Sequence, residues 1–208
     1  MRLILVRHGA TEWSAALRYQ GWSDVPLSPE GLEQARLAAE RLRGEAVAGV
    51  YSSDLARALD TAKLIAAQHR LSVVSLPDLR EANFGRWEGL TFEEISRQDH
   101  QLAAAWAADP ARIAPPDGET VVQVIERMNR AVRRIEAEVG EGTAVAVTHG
   151  GAIRALLCHV LGVPPERLWQ FQVDAGSITV VEFHPAGAIL SRLNDTCHPA
   201  VEKMEREQ

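Results

Sequence analysis

Cysteine is scarce in this chain: Cys158 and Cys197 are the only two in 208 residues. No signal peptide precedes the first apolar run, and no apolar run is long enough to span a membrane. These absences together point to a reducing, cytoplasmic setting. Positive charge is also in short supply. A formal net charge of −6 provides no basic field for nucleic acid or an acidic membrane surface, so an anionic substrate must be met by a local cluster of arginines. Repeats, low-complexity tracts and long charge runs are missing too, and only the terminal Val201 to Gln208 stretch, VEKMEREQ, reads as a solvated tail. What remains, 46% hydrophobic, can bury one sizeable core. A single domain over 1–200 is expected, with a small cap-like segment near 89–120.

Two patterns alternate along that domain. The apolar runs LILV, AGVYS, LSVVSL, TAVAVTH and SITVVEF read as strands, and segments 28–43, 54–69, 119–139 and 150–161 carry apolar residues at helical spacing. Ser28 before Pro29 and Glu30 is a helix start, and Ser53 or Asp54 is the expected cap of the next helix. In the third helix Val121, Val124, Ile125, Met128, Val132, Ile135 and Val139 line one face, leaving Arg127, Arg130, Arg133, Arg134 and Glu138 on a solvated back. The order βαβαβ, helices, βα and a β-rich end predicts an α/β fold, a three-layer α/β/α sandwich with a mostly parallel central sheet.

Three stretches carry residues that this pattern does not need. Leu3 to Val6 read as a fully buried strand, and Arg7, His8 and Gly9 follow at its carboxyl end, where open α/β sheets bind ligands. A capped turn with a surface histidine is the plain alternative. TAVAVTHGG repeats the arrangement, ending in His149, Gly150 and Gly151, whose glycines allow close backbone approach before a helix start that offers free amides. Arg57, in YSSDLARALDTA, falls in the first turn of its helix near the same sheet edge, although a solvated helix arginine has the same spacing. A proton donor is sought in LREANFGRWEGLTFEEI, where Glu81 stands beside the apolar Phe84 and Trp87 and Glu88 suits a capping or surface role; position alone leaves both open.

Taken together, LILVRHGATEW, QGWSDVPLSPEGLEQA, YSSDLARALDTA, LREANFGRWEG, DGET and VTHGG resemble the histidine phosphatase superfamily, in the branch of the cofactor-dependent phosphoglycerate mutases and their phosphatase relatives. The resemblance covers nearly the whole chain. It implies the same three-layer fold, His8 as nucleophile, Arg7, Arg57 and His149 as phosphate ligands, Glu81 as proton donor, and no metal or other cofactor. Thr11, Gln20, Gly21 and Gly150 match pocket positions. Ser14 stands where relatives commonly have asparagine, and its shorter hydroxyl reaches less far than an amide, so its contact with phosphate is left open.

The activity so implied is metal-independent hydrolysis of a small phosphorylated metabolite through a phosphohistidine. The short 89–120 segment favours hydrolysis over phosphoglycerate mutase chemistry. A non-catalytic phosphate-binding module would lack the nucleophile and acid that this chain retains. A zinc site built on His184, Cys197 and His198 lacks a second paired motif. The NDTCH end resembles the tails of α-ribazole phosphatase-like and phosphoserine phosphatase-like proteins. Its strand and exit turn, Asn194 to His198, either select substrate or serve only as an edge. The candidate substrates are α-ribazole 5′-phosphate, placed first on resemblance, phosphoglycerate, phosphoserine and sugar phosphates. No nucleic-acid or membrane partner is expected, and both monomer and homodimer fit.

Overall fold

A computed structural model describes residues 1–196; Cys197, His198 and the expected tail lie outside the described residues. Strands β1 (Arg2–Arg7), β2 (Val47–Ser52), β3 (Val73–Ser75), β4 (Thr143–Thr148), β5 (Ile178–His184) and β6 (Gly187–Asp195) form one sheet in the order β3-β2-β4-β1-β5-β6. The pairs β2·β3, β2·β4 and β1·β4 are parallel, whereas β1·β5 and β5·β6 are antiparallel. Helices α2 (Pro29–Leu42) and α3 (Ala56–His69) cover one face, and α6 (Val121–Val139) and α7 (Gly150–Leu161) the other.

The unbroken apolar run of β1 follows from this burial on both sides. Leu3 and Leu5 pack with α6 and α7, while Ile4 and Val6 pack with α2 and α3, as a side-chain period of two requires. Helix α6 places Val121, Val124, Met128, Val132 and Ile135 in the core, each full burial contributing roughly 1.5–3 kcal/mol before entropy is counted. Its back differs from expectation at one residue: Arg127 is buried. The short helices α1 (Glu12–Ala15), α4 (Phe92–Gln98) and α5 (His100–Ala108) lie outside the sandwich. Phe84, Trp87, Ile95, Ala103 and Trp106 make a separate apolar cluster there, so Trp106 is a packing residue.

The topology places a crevice between β1 and β4. From β1 the chain leaves through α2 toward β2, and from β4 it leaves through α7 toward β5, on the opposite side of the sheet. Carboxyl ends at such a reversal form a ready ligand site.

Candidate active site

Register brings the two histidines together. Arg7 pairs with Thr148, and the His8 amide donates to Thr148 O at 3.0 Å, so the next residues along, His8 and His149, stand with ring centroids 4.9 Å apart. Both are buried. His8 Nδ1 lies 2.7 Å from Gly9 O; a carbonyl only accepts, so Nδ1 carries the proton and Nε2 the lone pair. Arg57 Nε donates to that Nε2 at 3.3 Å. Burial, then the charges of Arg57 and Arg7, hold the His8 pKa well below the usual histidine range, and the imidazole is neutral.

Arg57 is wholly buried and aimed by a loop from elsewhere in the chain. Its NH1 donates to Ser23 O at 2.8 Å and its NH2 to Gly21 O at 2.7 Å. The expected cap of this helix is corrected. Helix α3 begins at Ala56 after an N-cap Leu55 that has no side-chain oxygen, and Asp24 Oδ1 accepts from Ala56 N at 2.8 Å instead. The sheet ladder continues past β2 through Ser53 N to Val147 O, which delays the helix, and Asp54 turns to Arg80 at 2.6 and 2.5 Å.

Glu88 is neither a helix cap nor a surface carboxylate. It accepts from Trp22 N, Ser23 N, Ser23 Oγ and Phe84 N at 2.5–3.3 Å, which fixes the loop that aims Arg57. Glu81 instead lies across the start of α7. Its Oε2 accepts from Gly151 N, and its Oε1 from Ala152 N and Ala82 N, each at 3.0 Å. A Cβ on Gly151 would sit 2.5 Å from Glu81 Oε1, so the second glycine of THGG makes room for the carboxylate. The loop bearing Glu81 is held from below. Thr148 Oγ1 donates to Leu79 O at 2.6 Å, and Arg127 donates to Asp78 O, Arg80 O and Glu81 O at 2.5–3.0 Å while pairing with Glu119 at 3.0 Å. That is why Arg127 is buried: its fork satisfies three carbonyls of an irregular segment that no strand could satisfy.

A cavity of about 380 Å³ opens over these groups, lined by Arg7, His8, Arg57, Glu81, Gly150 and Gly151, with Ser14, Gln20 and Arg154 at its sides. Leu17, Phe92 and Trp169 stand at its exposed rim. Both ring nitrogens of His149 and the Nε of Arg7 are buried without a hydrogen-bond partner. Leaving such groups unsatisfied is costly, and together they fit an anion. Burial, then the charge of Arg57, holds the His149 pKa well below the ordinary histidine value. Thr11 is buried and closes a capping box with Ser14: Thr11 Oγ1 accepts from Ser14 N at 3.1 Å, while Ser14 Oγ accepts from Thr11 N at 2.9 Å and donates to Thr11 O at 3.0 Å. Ser14 still faces the cavity, whereas Thr11 and Gly21 support the loops around it. Asn194 holds the loop behind Arg7, accepting from Asp174 N at 2.6 Å. Sequence reasoning missed Arg154, although the spacing held a signal, since it lies one helical turn beyond Gly150 on the same face.

A larger cavity, about 680 Å³, opens near the amino end of β1 among Met1, Arg2, Glu136, Glu141, Glu182 and His184. It gathers mainly acidic groups far from the two histidines. Among the described residues no three His, Cys, Asp or Glu side chains are grouped to hold a metal ion, and no helix is long and apolar enough to cross a membrane.

Comparison with known proteins agrees with this geometry. The chain is 33% identical over 198 residues to phosphoserine phosphatase 1 of Hydrogenobacter thermophilus, covering 95% of this chain and 94% of that one. It is 31% identical over 194 residues to the adenosylcobalamin/alpha-ribazole phosphatase of Escherichia coli, covering 93% and 96%. Among solved structures, mycobacterial glucosyl-3-phosphoglycerate phosphatase in complex with VO3 superposes with a TM-score of 0.86 at 32% identity, covering 93% of this chain and 99% of that one. The model of the histidine phosphatase superfamily (branch 1) matches residues 3–196, and the chain belongs to that family.

Proposed function

We propose that the protein is a metal-independent phosphomonoesterase that hydrolyses a small phosphorylated metabolite through a phosphohistidine on His8. The observation that carries this reading is the neutral His8 imidazole. Its Nδ1–H is fixed on Gly9 O, its Nε2 carries the lone pair, which Arg57 Nε engages at 3.3 Å and which is given up to phosphorus in the attack, and Arg7 and an unpartnered His149 stand beside it. In the first half-reaction, Nε2 forms a bond to phosphorus as the ester P–O bond breaks, and Glu81 gives its proton to the leaving oxygen. In the second, water attacks phosphorus, passes a proton to Glu81, and the N–P bond breaks to regenerate neutral His8. Arg7, Arg57 and His149 stabilise the charge on the phosphoryl oxygens, where removing one preorganised donor typically costs about a hundredfold to a thousandfold in rate.

Resemblance places α-ribazole 5′-phosphate first among the candidate esters. The phosphatase names of the relatives described above support hydrolysis, while other relatives of 31% identity are named probable phosphoglycerate mutases, so mutase chemistry is the second reading. The test is phosphate release, in chelator, from an aryl phosphate, α-ribazole 5′-phosphate, phosphoserine and phosphoglycerate, with His8→Ala alongside. Loss of turnover in a folded His8→Ala, and an acid-labile phosphoenzyme trapped in the wild type alone, are expected. Undiminished turnover in His8→Ala would sink the covalent mechanism, and phosphate moving between phosphoglycerate positions without release would identify a mutase.

A further inference from the structure

Arg154 has no part in the mechanism above, yet it is built into the same cavity. Its Nε donates to Phe171 O at 2.8 Å, and its guanidinium lies 5.6 Å from the centre of the Trp169 ring. Two residues on, Val173 O accepts from Arg7 NH1 at 2.7 Å. Alternate carbonyls of one short segment thus aim two arginines into the site side by side. The position a Gly150 Cβ would occupy is 3.0 Å from Arg154 NH1 and 3.3 Å from Arg7 Nε. Of the four arginines lining the cavity, only Arg18 is paired with a carboxylate among the described residues, Glu94 at 2.8 Å.

Charge then points to the missing partner. When Glu81 carries the proton that the leaving group requires, Arg7, Arg57 and Arg154 present three positive charges to a phosphomonoester that brings at most two negative ones. Asp174 acts on Arg7 and Arg154 from a distance, but its carboxylate is engaged by Gln172 and Asn194 and forms no ion pair with either arginine. The surplus lies at the wall from which α7 rises, beside Arg7. A carboxylate suits it because its two coplanar oxygens match a guanidinium edge.

We infer that Arg154 is a specificity residue that binds a carboxylate on the leaving group, so that the preferred substrates are small phosphorylated carboxylic acids. This rests on the phosphatase reading and narrows it against neutral leaving groups such as α-ribazole.

The test compares 3-phosphoglycerate with glycerol 3-phosphate, which differ only in a carboxylate against a hydroxymethyl group, and includes an aryl phosphate. In the wild type kcat/KM favours the carboxylate ester. In Arg154→Met that ester falls by roughly 10- to 100-fold, the loss of one hydrogen bond to a charged group, and the other two fall far less. Arg154→Lys, which keeps the charge without the fork, retains part of the preference and guards against a folding artefact. Equal losses on all three esters would make Arg154 a phosphoryl ligand, and a wild type without preference would remove its role in selection; either result overturns the inference. Absence of turnover on every ester would defeat the phosphatase reading alone. Calorimetric binding of the two glycerol-based esters to the wild type and to Arg154→Met then decides this inference separately, through the presence or absence of an Arg154-dependent preference.

Discussion

Arg57 Nε faces His8 Nε2 across 3.3 Å, donor toward lone pair. An imidazolium at that position would set N–H against N–H beside a fixed positive charge, so the same contact orients the His8 ring and keeps Nε2 unprotonated. His149, buried against it, is held neutral by the same burial and the same guanidinium.

That pair predicts how stability depends on pH. Both histidines have folded pKa values below the unfolded value of about 6.5, so the unfolded chain binds more protons and stability is lost as pH falls from there toward the folded values. Denaturant midpoints should decline below about pH 6.5, and the decline should be shallower in His149→Gln, which removes one of the two groups. Equal slopes in the two proteins would mean that His149 contributes nothing to the acid limb.

Glu81→Gln keeps the shape of the side chain but holds no transferable proton, and its single amide oxygen can accept from only one of the two sides that Gly151 N and Ala152 N occupy. Esters with alkoxide leaving groups should slow by about a hundredfold or more, the usual worth of a positioned acid, while aryl phosphates, whose phenolate leaves unaided, should slow much less in the phosphorylation step. Single-turnover rates on matched alkyl and aryl esters make the comparison; uniform losses would move the acid role elsewhere.

Arg127→Met should unfold the support beneath Glu81. Glu119 would be left without its cation and the Asp78 and Arg80 carbonyls without this donor, whereas Glu81 O keeps the Trp22 indole N–H at 2.9 Å; removing one partner of such a pair typically destabilises by about 3–5 kcal/mol. Urea titration measures the loss. A change below about 1 kcal/mol would show that water replaces the arginine there.

Glu88 does not line the cavity, yet Glu88→Ala should depress kcat/KM by at least about tenfold. Four donors lose their acceptor, the Gly21 to Ser23 carbonyls drift, and Arg57 loses its aim, a displacement to which catalysis is sensitive. Arg57 reactivity and the Tm of the variant, followed together, would separate misalignment from general unfolding.

Much of this was legible in the sequence. The strands with continuous apolar runs, the four long helices, and the strand-end histidines each carry a local signal that the fold obeys. What escaped were the roles fixed by contacts between distant segments. Arg127 follows the helical period of a solvated face, but carbonyls from 78–81, almost fifty residues away, draw it inward. Asp24 caps a helix that starts thirty-two positions later, and no local rule for Ser53 or Asp54 could anticipate a sheet ladder running on into Ser53. Glu88 and Glu81 differ only in which loop meets them, and the placement of Arg154 beside Arg7 shows only when Phe171 and Val173 are seen to accept from the two arginines.

The partner of His8 Nδ1 has one more implication. That proton rests on the carbonyl of Gly9, the very next residue, rather than on a side chain borrowed from another element. The tautomer is therefore written into the chain at one place and travels with it. The cavity wall around Ser14, Arg154 and Trp169 takes no part in that hydrogen bond, so changing those side chains leaves the tautomer in place.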